Sequence, residues 1–141
     1  DMAETVCFVL KMLCVGFLEE LIFRGFLFKA MAKNSLGWAA TVSAVTFGIG
    51  HIVNLFNGSG AQLLSNLCQM GYATDIGFLF VILLLKTGSL IPCIVTHSAV
   101  NSLSVFANEV SMTVTQEIFS AIAIAVIALA YAVYLLKKLP E

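Results

Sequence analysis

The sequence predicts an all-α fold, a polytopic transmembrane bundle of about five helices, on three observations. Of its 141 residues, 60% are hydrophobic and only 11% are charged, against about 25% charged in average soluble domains. The mean hydropathy is +1.02. The apolar residues are gathered into five stretches separated by short polar breaks. Each stretch reaches the ~17–25 residues that cross a hydrocarbon core about 30 Å thick. Fifteen charges (7 Lys+Arg, 8 Asp+Glu) are too few to cover a water-exposed surface of this size, so the bilayer is the natural solvent.

The stretches run from Met2 to Phe28, Trp38 to Phe56, Leu63 to Leu85, Leu90 to Ala107 and Ile118 to Leu136. Turns are predicted at Lys33-Asn34-Ser35-Leu36-Gly37, Asn57-Gly58-Ser59-Gly60 and Lys86-Thr87-Gly88-Ser89, where Gly, Asn and Ser cluster. No linker divides the chain, so residues 1–141 read as one domain. The first stretch begins within a residue or two of Asp1, which leaves room for further amino-terminal spans, and it lacks the cleavage site of a signal peptide. Lys29, Lys33, Lys86, Lys137 and Lys138 mark alternate ends of the spans, whereas the fourth break carries Glu109 and Glu117. The positive-inside rule then puts the amino end outside and the carboxyl end inside.

The charge balance also excludes partners. A net charge of -1 gives no basic excess for phosphate, so no nucleic acid is expected. Cys7, Cys14, Cys68 and Cys93 lie in or beside apolar runs without metal-type or disulfide-framework spacing, and read as reduced small hydrophobes.

Against this background, Glu19, Glu20, Arg24, His51, Asp75, His97 and Asn101 stand inside the apolar stretches. An ionisable side chain at mid-membrane costs about 2.5–3.5 kcal/mol on insertion scales, so such residues face the bundle interior, pair, and mark function. At ~1.5 Å per residue, Glu20 lies about 21 Å and His51 about 25 Å from the first turn, and His97 about 15 Å and Asn101 about 21 Å from the third. If those turns share a membrane face, these residues occupy one layer. Glu20 and Arg24 are four apart and can pair. Glu19 is rotated about 100° away from that pair, and a carboxylate without a cationic partner suits a general base. His97 and Asn101, also four apart, put two donors on one face, an arrangement that can hold an oxyanion.

In order along the chain, Glu19-Glu20-Leu21-Ile22-Phe23-Arg24 matches EExxxR, Phe47-Gly48-Ile49-Gly50-His51 matches FxxxH, and His97-Ser98-Ala99-Val100-Asn101 matches HxxxN. This set resembles the CAAX protease and bacteriocin-processing (Abi) family of intramembrane proteases, which includes the type II CAAX prenyl endopeptidases. The resemblance spans about Gly16 to Asn101. It implies a hydrolase, an integral multi-pass membrane endopeptidase acting on a membrane-embedded or lipidated peptide, in the cell membrane if the source is bacterial. It further implies that Glu19, assisted by His51, activates water, that His97 and Asn101 stabilise the oxyanion, and that Glu20 and Arg24 support the site. Phe47 reads as packing, with Gly48 and Gly50 allowing close helix approach. Members have been described as metal-dependent, and two His with two Glu would make a zinc shell. The absence of HExxH favours a metal-free glutamate mechanism, with no cofactor and zinc as the alternative.

Other readings compete. Cys93 and His97 are four apart, the spacing of a thiolate–imidazole dyad on one helix face. An aspartyl mechanism needs two carboxylates, and the third span offers only Asp75, which reads as a hydrogen-bond partner for a neighbouring helix or for Arg24. A proton-coupled transporter also uses intramembrane Glu and His, but five spans without an inverted repeat count against it. A non-catalytic immunity or scaffold protein would keep the fold without the chemistry.

Overall fold

The computed structural model describes residues 1–56, 62–106 and 112–138, and these residues are helical almost throughout. The first stretch forms α1 (Met2–Glu20), passes into a π-helical segment (Leu21–Phe28) and ends in a short α2 (Lys29–Ala32). Next come α3 (Leu36–Gly50), which tightens into a 3-10 segment (His51–Leu55), and α4 (Leu63–Thr87). The last two are α5 (Ile91–Leu103), followed by a 3-10 turn (Ser104–Phe106), and α6 (Val114–Lys138).

Local chemistry sets several of these ends. Ser35 caps α3, its hydroxyl accepting from the Trp38 amide at 3.4 Å, as N-cap residues do. Gly88 ends α4 in the left-handed region at φ +64°, which glycine adopts without steric cost. Pro92 sits in the first turn of α5, where its missing N–H loses no helical bond. The first and third predicted turns therefore hold. The predicted turn at 57–60, the residue Ala107 and the residue Glu109 lie outside the described residues.

Among the described residues, three helices are long and apolar enough to cross a membrane, namely Leu36–Leu55, Leu63–Thr87 and Val114–Lys138. The described part of the fourth stretch forms an apolar helix, Ile91–Phe106. Large apolar side chains such as Phe26, Trp38 and Leu129 point outward, an arrangement that lipid tolerates and water penalises.

α1 packs against α5, and α4 packs against both α3 and α6. Gly16 of α1 permits the first contact, since a Cβ there would stand 2.8 Å from the Ser98 backbone of α5. Ser98 and Ser102 of α5 donate to the Leu13 and Val9 carbonyls of α1 at 3.2 and 3.5 Å. Gly48 permits the second contact, since a Cβ there would stand 2.7 Å from the Met70 carbonyl of α4. Small residues and hydroxyls at helix crossings are the usual adhesive where hydrophobic burial offers no net gain. Gly50, expected to act like Gly48, has only the Phe23 ring near it, at 3.9 Å, and makes no close helix approach. A core of Phe28, Ala39, Phe80, Val81, Leu84 and Cys93 ties the π-helical segment, α3, α4 and α5 together beside the polar layer.

Candidate active site

The polar layer is organised around Glu20. Its carboxylate accepts from Arg24 Nη1 at 3.0 Å, with both side chains fully buried. The same oxygen, Oε1, receives His97 Nδ1 at 2.8 Å. A carboxylate paired with a guanidinium can only accept, so Nδ1 carries the proton in this contact. The opposite ring nitrogen, His97 Nε2, lies 3.4 Å from Oε2 of Glu19. His97 therefore reaches the Glu19 and Glu20 carboxylates at the end of α1 from α5, the Glu20 contact spanning 77 residues of sequence.

The two glutamates are adjacent in the chain and differ in setting. Glu20 points inward to the buried cation, whereas Glu19 is one-third exposed and faces a cavity. The angular offset predicted from the helix repeat is what separates them. The π-helical segment begins immediately after Glu20 and carries Arg24; π-helical turns inside α-helices are frequent at functional sites. Ser43 of α3, itself buried, donates to the Phe23 carbonyl within that segment at 2.9 Å, holding α3 against the backbone next to Arg24.

His51 opens the 3-10 segment after α3. Its Nδ1 bonds the Phe47 carbonyl at 3.1 Å. A carbonyl only accepts, so Nδ1 donates in this contact, and the Nδ1–H tautomer of the neutral ring presents Nε2 as an acceptor. Phe47 does more than pack. Its ring meets those of His51 and His97 edge-on at 5.3 and 5.5 Å. The Arg24 guanidinium carbon lies 4.2 Å from its centroid, within cation–π range. Phe80 stacks on His97 at 5.6 Å, with Arg24 5.3 Å from its centroid. Arg24 thus spends its charge on Glu20 and two aromatic faces, away from the cavity.

Glu19, His51, His97 and Asn101, from three separate elements, line one cavity of about 980 Å³. Apolar side chains form most of its remaining wall, including Phe8 and Met12 of α1, Leu79 of α4 and Ile127 of α6. Sequence reasoning missed Asn54, Gln69 and Tyr131, polar side chains that also face it. An amide pair three residues apart within a span, Asn66 and Gln69, was the available signal.

Cys93 lies apart from this cavity. Its buried thiol donates to the Phe80 carbonyl at 3.3 Å, so the four-residue spacing to His97 does not make a dyad. Asp75 is exposed on another face of α4, in a groove with Cys68, Gly71, Ile118 and Ala121. It is no partner for Arg24.

The expected zinc shell of two His and two Glu is not assembled in this arrangement. Glu20 Oε1 and His97 Nδ1 are bonded to each other. Among the described residues, no three His, Cys, Asp or Glu side chains gather in an arrangement able to hold a metal ion.

Comparison with curated proteins and with solved structures gives no match. A family model does match: residues 2–103, which include all three motifs, fit the Rce1-like type II CAAX prenyl endopeptidases. That match spans more than half of the chain, so the protein belongs to the Rce1-like type II CAAX prenyl endopeptidase family and is an integral membrane protein of the protease class.

Proposed function

We propose that the chain hydrolyses a peptide bond of a membrane-embedded or lipidated, CAAX-type substrate, using Glu19 as general base and no metal. One observation carries this reading: Glu19, His51, His97 and Asn101 converge on a single cavity whose other walls are mostly apolar. Its volume suits a small ligand or a short peptide with an attached hydrocarbon chain.

The residues divide the work by their hydrogen-bonding capacity. A water beside Glu19 gives its proton to the carboxylate as its oxygen bonds the scissile carbonyl carbon. His51 Nε2, the acceptor of the Nδ1–H tautomer that the Phe47 carbonyl favours, accepts a hydrogen bond from the second O–H of that water and aims it. The carbonyl oxygen becomes an oxyanion held by the Asn101 amide and by His97 Nε2–H, which stands beside Glu19. The C–N bond then breaks, and Glu19 returns the proton to the leaving amine. Glu20 fixes the His97 ring through Nδ1, and Arg24 neutralises Glu20 in the dry interior.

The test is cleavage by the purified chain in liposomes of a farnesylated CAAX-type peptide, read by product mass. Release of the carboxyl-terminal tripeptide by the wild type and its loss in His51→Ala are expected. Intact peptide with the wild type, or undiminished cleavage by His51→Ala, would overturn the reading.

A further inference from the structure

We infer that Asn66 of α4 is a positioning residue that fixes His51 by holding its peptide carbonyl. α3 stops being α-helical at His51, so the backbone there leaves the regular ladder where the imidazole is presented. Asn66, only 1% exposed, donates from Nδ2 to the His51 carbonyl at 2.8 Å. One turn further along both elements, Asn54 Nδ2 donates to Gln69 Oε1 at 3.0 Å. The 3-10 segment is thus tied to α4 by two hydrogen bonds, next to the close approach that Gly48 allows. The ring itself is held from its own helix, by the Phe47 carbonyl and the Phe47 ring. Backbone and ring are therefore anchored from different elements, and Asn66 supplies the anchor from α4.

An amide donor in an apolar interior has few alternatives to the carbonyl it faces, which makes the contact selective as well as attractive. Without it, the segment can shift against α4, and a displacement of about 1 Å at a reacting group costs roughly 10²-fold in rate. The catalytic consequence rests on the endopeptidase reading; the positioning of His51 does not.

The chain has only 2 histidines, so protein labelled with ¹⁵N-histidine gives a spectrum of two imidazoles, assigned with His51→Ala. Asn66→Leu, and Asn66→Ala as the variant that cannot clash, should move the His51 signals and leave those of His97 in place. On the farnesylated peptide, both should lower kcat about ten- to hundredfold at unchanged KM. Unmoved His51 signals in folded Asn66→Ala would overturn the proposal, as would His97 signals moving as far as those of His51. A wild-type chain that leaves the peptide intact defeats the endopeptidase reading, and the spectra still decide the role of Asn66.

Discussion

Two carboxylates within the spans of this protein have opposite surroundings. Glu20 is fully buried and bonded to Arg24 and His97, which themselves pack against the Phe47 and Phe80 rings. Asp75 is exposed on the face of α4 that meets α6, among small and apolar side chains. The two residue types carry a similar insertion cost, yet only Glu20 is offset inside the fold by a cation and a histidine. A polar residue in an apolar stretch therefore marks a place to look. The groups that converge on it decide whether the place is a site. At the α1–α5 contact Glu19, Glu20, His97 and Asn101 gather, whereas among the described residues that line the α4–α6 groove Asp75 meets no cation and no histidine.

The comparison can be broken by substitution. Glu19→Gln keeps the shape of the side chain and removes the base, so kcat on the farnesylated peptide should fall about 10²–10⁴-fold, with an unchanged melting temperature. Arg24→Met leaves the Glu20 charge buried without its cation. Breaking a buried pair in this way costs about 3–5 kcal/mol, which thermal unfolding in detergent should register. Asn101→Ala removes one proposed oxyanion donor and should lower kcat about 10²–10³-fold without changing stability. Cys93→Ser and Asp75→Asn touch neither the cavity nor the buried pair. Both should keep kcat within about twofold of the wild type. A large loss in Cys93→Ser would restore the thiol reading, and a large loss in Asp75→Asn would make the α4–α6 groove part of the site.

The sequence made legible whatever follows from helix periodicity. Glu20 pairs with Arg24 because four residues bring them to one face, and Glu19 stands off that pair for the same reason. Helical rise from the turns put Glu20, His51, His97 and Asn101 in one layer; of these, His51, His97 and Asn101 line the cavity together with Glu19, while Glu20 lies buried behind it, bonded to His97. Backbone register was not legible. The π-helical segment from Leu21 and the 3-10 segment from His51 depend on which carbonyl each amide chooses. Tertiary contacts such as Ser43 to the Phe23 carbonyl influence that choice. Nor did spacing reveal that His97 bridges both glutamates, since α1 meets α5 through Gly16 and two serine hydroxyls far away in sequence. Asn66 and Gln69 were passed over because they lie in a stretch dominated by apolar residues.

The central claim is that Glu19 is the base of a metal-free peptide hydrolysis. Its most direct test is the rate of farnesylated-peptide cleavage by wild type and Glu19→Gln in liposomes containing excess strong chelator. The account predicts full wild-type activity under chelation and a loss of about 10²-fold or more in Glu19→Gln. Cleavage abolished by the chelator and restored by added zinc would contradict it, as would wild-type rates in Glu19→Gln.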